Sequence, residues 1–366
     1  MSAIFRERGS IARAGEASDD ALYLRDFWYL ASPSRALRVG DMVGKTILGE
    51  PVLLLRNREG QVSAIRDICP HRGMPLRFGS FDGTQVSCCY HGWSFDTTGR
   101  CVRIPALAPE EGVDVSRIRV RHYAVREVQG CIWVFMPRAG RPQDEPMPEP
   151  PHMPGIPDAS WPQVECELEY ALGPDDTAYT LMDPGHIPYV HNWWWWKKDR
   201  TRVKEKRKDF EPAELGWRMR QHAAPSTNRM YRLFGRKVHT ELTYRLPGMR
   251  IERIDGELGK AVSLLIMTPT DASSTAVYQC VWWTQRWLQP LRPLIRYLVH
   301  GFLDQDGKAA VLQRQGLAHD PPKMLLGDVD QQARWYFRLK REWNLALQEG
   351  RPFRNPIESC TLRWFS

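Results

Sequence analysis

The chain has 366 residues, 42% of them hydrophobic and 26% charged, with a formal net charge of +8 at pH 7. That balance suits a globular protein with room for two ordinary domains and ample core. No run of eighteen apolar residues occurs, and the first twenty residues carry charges without an apolar segment, so neither a transmembrane helix nor a signal peptide is expected. The basic residues are spread widely and accompany no nucleic-acid motif, so nucleic acid is not an expected partner. An acidic protein would be attracted as readily.

Residues 1–24 read as a polar arm, and the ordered chain begins around the aromatic trio Phe27, Trp28 and Tyr29. From Asp41 the pattern predicts short strands punctuated by turns: a strand over 45–48, a turn over 49–51, a strand over 52–55, a turn over 57–60 and a strand over 62–65. Such strands make a small sandwich, whose loop tips carry Cys69-Pro70-His71-Arg72-Gly73 and Cys88-Cys89-Tyr90-His91-Gly92-Trp93. The skeleton is C-x-H, sixteen residues, then C-x-x-H. A structural zinc site keeps its thiolates in one clip and its imidazoles in another. Here each loop offers one of each, an order that suits a [2Fe–2S] cluster of Rieske type, with both sulfurs on one iron and both imidazoles on the other. Cys69, His71, Cys88 and His91 are therefore the candidate cluster ligands. Further strands follow and close with 130–135, and this domain ends near Pro137. The other six cysteines show no paired spacing, which fits a reducing cytoplasm.

Between Pro137 and Pro162 lie nine prolines in twenty-six residues, a density that disfavours helix and central strand and marks a linker. Beyond it, alternating segments over 164–168, 237–244, 249–254, 261–267 and 276–284 predict a sheet with one face buried. Helical spacing predicts helices over 291–303 and 330–348. In the second of these, Tyr336, Leu339, Trp343 and Ala346 read as core contacts. No internal repeat and no G-x-G-x-x-G phrase appears, so a nicotinamide or flavin nucleotide is expected on a separate protein.

The second constellation is Asp183-Pro184-Gly185-His186-Ile187-Pro188-Tyr189-Val190-His191. Asp183 before Pro184 reads as a helix start, with the carboxylate as cap and proline at the first helical position. On a straight helix two histidines five apart would point roughly 140° from each other, so gripping one ion requires distortion, for which Pro188 supplies a cause. Taken alone, these residues are as readily polar groups near a helix end as metal ligands.

Together, the two constellations closely resemble the α-subunit of Rieske non-haem iron oxygenases, and most of all its monooxygenase and demethylase branches related to vanillate demethylase and pheophorbide a oxygenase. The resemblance covers nearly the whole chain. It implies an α+β architecture: an N-terminal all-β Rieske [2Fe–2S] domain over 25–137, a proline-rich linker over 138–162, and a catalytic domain over 163–366 built on an antiparallel helix-grip (START/SRPBCC-like) sheet. It also implies that Cys69, His71, Cys88 and His91 hold the cluster, and that His186 and His191 bind a mononuclear Fe(II). The third iron ligand would be a carboxylate shortly after a helix; Asp306 is preferred and Asp304 is the alternative. Asp183 would bridge a cluster histidine and an iron histidine across a subunit boundary, within a head-to-tail homotrimer. The expected reaction is hydroxylation or oxidative demethylation of a small organic substrate with O2, electrons coming from a separate NAD(P)H-dependent reductase or ferredoxin. The chain departs from the family at Thr180, where asparagine is common, and at Tyr179, where an acidic residue is common. Trp217, Phe234, Trp282 and Trp283 are candidate pocket residues.

Two other readings compete. The first is a Rieske electron carrier without oxygenase activity, which would need no second metal site. The second is an interaction protein using the tryptophan run 193–196 and the basic residues after it.

Overall fold

The computed structural model describes residues 22–108, 112–142, 144–191, 204–224 and 229–366. Most of the expected polar arm and the whole tryptophan run 193–196 lie outside the described residues. The N-terminal region forms three small antiparallel sheets. Phe27–Pro33, Cys131–Met136 and Val125–Val128 make one, and Met42–Ile47, Glu50–Arg56, Val62–Arg66 and His122–Tyr123 another. The third, Ser80–Phe81, Gln85–Ser87, Ser94–Asp96 and Cys101–Arg103, carries the cysteine–histidine loops. The first hairpin turns at Leu48 and Gly49, with φ of 53° and 76°, so Pro51 lies within the strand opposite Thr46 rather than in the turn expected over 49–51. A two-residue hairpin needs positive φ at both central positions, and only one of them advertises this in the sequence by being glycine.

The second region is one antiparallel sheet of eight strands. From edge to edge these are Val164–Tyr170, Ser274–Trp283, Gly259–Asp271, Met249–Gly256, His239–Arg245, Gly216–Ala223, Glu205–Ala213 and Cys360–Phe365. Among the described residues four α-helices accompany it: α1 (Pro174–Met182), α2 (Ile187–Val190), α3 (Arg292–Leu317) and α4 (Gln331–Glu349). This is the expected α+β architecture, with both faces of the large sheet covered rather than one. Side chains on a strand point alternately to opposite faces. Leu264, Ile266, Tyr278 and Trp282 accordingly pack on Trp28, Leu30, Trp133 and Phe135 of the N-terminal region, while Leu265, Val277 and Trp283 pack with Ile295 and Leu303 of α3. Hydrogen bonds reinforce the first contact, from Thr268 Oγ1 to Leu30 O at 2.8 Å and from Tyr278 Oη to Ala31 O at 3.1 Å.

α3 runs fourteen residues beyond the helix expected over 291–303 (317 against 303). Past Leu303 its inward side is only Asp306 and Ala310, so no apolar stripe announces the continuation. Close packing fixes its position. Tyr170 Oη donates to Leu303 O at 2.8 Å, and a Cβ at Gly307 would sit 3.3 Å from the Tyr170 ring, a spacing that leaves little room for a side chain.

α1 is held through a buried lysine. Lys340 Nζ on α4 donates to Asp175 Oδ1 at 2.7 Å and to Leu22 O at 2.9 Å, and Tyr336 Oη donates to the same carboxylate oxygen at 2.8 Å. Lys340→Met would leave two acceptors short of a donor. We expect it to cost about 2 kcal/mol, allowing for the partial exposure of Asp175. Urea unfolding followed by tryptophan fluorescence measures the cost, and an unchanged midpoint would show that the knot is not structural.

Candidate active site

The two N-terminal loops are built alike. Gly73 N donates to Cys69 O at 2.9 Å and Cys69 N to Met74 O at 2.8 Å; in the second loop Gly92 N donates to Cys88 O at 3.0 Å and Cys88 N to Trp93 O at 2.9 Å. Both turns pass through the left-handed region at glycine, φ 73° at Gly73 and 70° at Gly92, where a side chain would be strained. The two thiols are buried, and burial raises that of Cys69 to about 11, with the neighbouring Cys88 adding to the shift. The rings of His71 and His91 lie 4.4 Å apart, and His71 stacks on Trp93 at 4.6 Å. His91 and Tyr90 are exposed. The loops thus place two thiols on the inner side and two imidazoles on the outer side of one centre. His71 Nδ1 is buried and has no hydrogen-bond partner among the described residues, as a nitrogen aimed at a metal would be.

The second centre lies where α1, α2 and α3 meet the sheet. α1 ends at Met182 and Asp183 is its extended C-terminal cap, so the helix expected to start at Asp183–Pro184 does not form there. Instead Asp183 Oδ1 accepts from Gly185 N at 2.6 Å and Oδ2 from His186 N at 3.1 Å. This tight turn feeds the single helical turn of α2, with Pro188 in its first turn, not at a kink. His186 precedes α2 in helical geometry, and His191 follows it with ψ near 96°. The two histidines thus flank one short helical turn and are not two positions within a long straight helix. The rings come to 5.3 Å, with His186 Nε2 3.5 Å and His191 Nε2 3.4 Å from Asp306 Oδ1. One ligand atom from each of the three residues falls within 4.8 Å of the others. His191 stacks on Phe302 at 3.7 Å, and its Nδ1 lies 3.3 Å from Gln305 Oε1, which orients the ring.

Asp306 points inward from the middle of α3 and is 4% exposed. Burial pushes its carboxyl up to about 6, with His186 and Arg250 pulling the other way. Burial pulls His186 down, but the neighbouring carboxylates of Asp183 and Asp306 outweigh it and leave the imidazole above its usual value. Asp306 Oδ1 and His186 Nδ1 are buried without a hydrogen-bond partner among the described residues. Such a donor set, two imidazoles and a carboxylate on one side of a point, fits a divalent iron with positions left open. Asp304 instead faces outward and pairs with Lys308 at 2.6 Å. The expected position shortly after a helix is corrected: both carboxylates lie within α3.

The triad sits in the wall of a cavity of about 920 Å³ between the sheet and α3, at the upper end of the range for small-molecule sites. Of the expected pocket residues, Phe234 and Trp283 line it. Trp282, on the other face of the same strand, is buried against the N-terminal region. Trp217 is buried against Tyr244 and Trp335. Thr180 donates to Gln313 of α3 at 3.2 Å. Polar lining groups that the sequence reading did not single out are Arg250, Glu252 and His222. Arg250 and Glu252 alternate along one strand, Met249–Gly256, but only the packing identifies their face as the cavity side.

Residues 27–124 match the Rieske [2Fe–2S] domain. Protein TIC 55, chloroplastic, of Pisum sativum is 27% identical over 352 residues, covering 89% of this chain and 58% of that protein. The oxygenase component of dicamba O-demethylase from Stenotrophomonas maltophilia is 33% identical over 180 residues, covering 46% of this chain and 48% of that one. In both cases the chain covers less than two thirds of its relative. A crystal structure of dicamba monooxygenase bound to 3,6-dichlorosalicylic acid superposes with a TM-score of 0.68 at 23% identity, covering 89% of this chain and 99% of that one. Residues 27–124 thus carry a Rieske [2Fe–2S] domain, and the chain shares its overall fold with the dicamba monooxygenase structure. The chain is thus similar to oxygenases that carry a Rieske domain, and a cluster of two histidines and one carboxylate lies in its second region. The residues present fit a [2Fe–2S] cluster in the matched domain and a mononuclear iron at His186, His191 and Asp306. No helix among the described residues is long and apolar enough to cross a membrane.

The two carboxylates separate on one measurement. Asp306→Ala is expected to lose the mononuclear iron while keeping acid-labile sulfide, and Asp304→Ala to keep both. Iron and sulfide analysis of the two purified variants checks this, and the reverse pattern would move the ligand to Asp304.

Proposed function

We propose that this protein is the terminal oxygenase component of a Rieske oxygenase system. In this reading it uses O2 and reductase-delivered electrons to hydroxylate or oxidatively demethylate an organic substrate, aromatic or polycyclic in character. The observation that carries the reading is the convergence of His186, His191 and Asp306 on the wall of a large, mostly apolar cavity. An electron carrier has no use for such a pairing. Cys69, His71, Cys88 and His91 would hold the cluster, and His186, His191 and Asp306 the Fe(II). When bound, these groups supply stored electrons and O2 activation. The chain's own residues do the rest. Phe302 and Gln305 fix the His191 ring, Asp183 fixes the turn that presents His186, and the walls of the cavity orient the substrate and exclude water.

Asp183 is assigned a second role, as the bridge between the iron histidine of one subunit and a cluster histidine of its neighbour in a head-to-tail trimer. Its side chain is partly exposed beside His186 Nδ1, at 3.6 Å, and the outward-facing His91 is available to such a neighbour. The working division of the chain is a Rieske domain over 25–137, a linker over 138–162 and a catalytic domain over 163–366. The partner is a separate NAD(P)H-dependent reductase or ferredoxin, and the setting is the cytoplasm, consistent with eight unpaired cysteines.

His191→Ala is expected to retain the Rieske absorption and abolish product formation, measured with a surrogate reductase, NADH and O2. Retained turnover would sink the site assignment. Asp183→Asn separates bridge from turn. An asparagine keeps one of the two acceptors of the local turn and loses the other, at about 1 kcal/mol of stability, whereas a bridge implies a slowing of electron transfer of about tenfold or more. Single-turnover oxidation of the reduced cluster decides, and a rate close to wild type limits Asp183 to the turn.

A further inference from the structure

Arg250 is the cation of the cavity with donors to spare. It stands on the central strand Met249–Gly256, paired across the sheet with Tyr244 on one side and Leu265 on the other. Arg250 lines the same cavity as the metal triad, and its charge acts on the Asp306 carboxyl. Among the described residues it makes no hydrogen bond, and its ion-pair partner, Glu252 two positions along the same face, lies at 3.7 Å. Glu252 is itself engaged, accepting from Tyr231 Oη at 2.5 Å. A guanidinium has five N–H donors in a rigid fork, so most of this fork is open to the cavity. The walls beside it include the apolar Leu242, Leu265, Leu298 and Phe302, and no polar lining group among the described residues accepts from it.

The charges lining the cavity favour an anion. Five lining residues are Lys or Arg (Lys204, Lys206, Arg207, Lys208 and Arg250) against four acids (Asp183, Glu205, Glu252 and Asp306), and the acids are spoken for. Asp306 belongs to the metal triad, Asp183 accepts from its own turn, Glu205 pairs with Arg363, and Glu252 is tied to Tyr231. Among the described residues no lining carboxylate remains to satisfy Arg250 at hydrogen-bonding distance.

We propose that Arg250 determines substrate specificity. It takes an apolar ring compound bearing one carboxylate, whose two oxygens accept from the guanidinium fork while the ring lies between the sheet and Phe302 on the metal side. Arginine and carboxylate match in planar, two-point geometry, and Glu252, fixed by Tyr231, keeps the fork aimed. This deepens the oxygenase reading and rests on it for where the chemistry occurs, but substrate binding is read without turnover.

The test is calorimetric titration of the full-length holoprotein with naphthalene-2-carboxylate and its neutral isostere naphthalene-2-carboxamide. Wild type should bind the carboxylate about tenfold or more tightly than the amide, as expected where a site is built for a particular hydrogen-bonding group. Arg250→Gln should abolish that preference while leaving the amide's affinity nearly unchanged, and Arg250→Lys should keep part of it, since the charge stays and the fork is lost. Rieske absorbance and iron content verify that each variant is folded and loaded. Should Arg250→Gln not fold, Arg250→Lys decides, and an undiminished preference there overturns the proposal. So do equal affinities in wild type, a preference that survives Arg250→Gln, or no binding of either probe. None of these results bears on product formation with other substrates, so the oxygenase reading can stand where this one falls.

Discussion

The structure turns on one carboxylate placed where a carboxylate is costly. Asp306 projects from the middle of a long helix into an interior made of leucines and aromatic rings, and one of its oxygens meets no donor. A lone charge in such a place costs several kcal/mol unless a cation shares it. Every neighbouring feature serves to hold it there. Gly307 lets α3 close on Tyr170, whose hydroxyl pins the backbone at Leu303. Phe302 and Gln305, from the same turn of α3, fix the ring of His191. The helix that carries the acid therefore also orients one of the imidazoles facing it, so the three groups cannot drift independently.

The opposite side of the centre is fixed by a different device. His186 and His191 flank a single helical turn whose two ends have different backbone geometry, and the turn before it is tied by Asp183 to the amides of Gly185 and His186. α1, which leads into this segment, is anchored at its first turn by Lys340 and Tyr336 of α4. Burying the lysine is tolerable because its ammonium is paired with the Asp175 carboxylate and the Leu22 carbonyl. The chain thus positions its candidate metal ligands through backbone turns and one buried ionic knot, and uses large apolar surfaces to join the two regions.

What could be read from the sequence was whatever is local. The cluster loops declare themselves because each needs a cysteine, a histidine and a left-handed glycine within a few residues, and the structure builds Cys69–Gly73 and Cys88–Gly92 alike. The histidine pair was legible as a motif, although its geometry was not, because a straight helix was the wrong template for residues that sit on either side of one turn. Choosing Asp306 over Asp304 rested on resemblance, and the physical distinction, inward against paired with Lys308, appears only once α3 is packed. Trp282 and Trp283 looked equivalent as pocket residues, yet adjacent strand positions must part company. The Arg250 and Glu252 pair was invisible for the same reason: its surroundings come from strands and a helix distant in sequence.

The alternation that separates Trp282 from Trp283 runs the length of the central strands. Even-numbered positions such as Leu264 and Ile266 bind the large sheet to the iron–sulfur region, while their odd-numbered neighbours Ala261 and Leu265 face the cavity. One wall thereby serves two masters with separate sets of side chains. Over evolutionary time the cavity lining can be rewritten residue by residue while the join between the two regions is left intact.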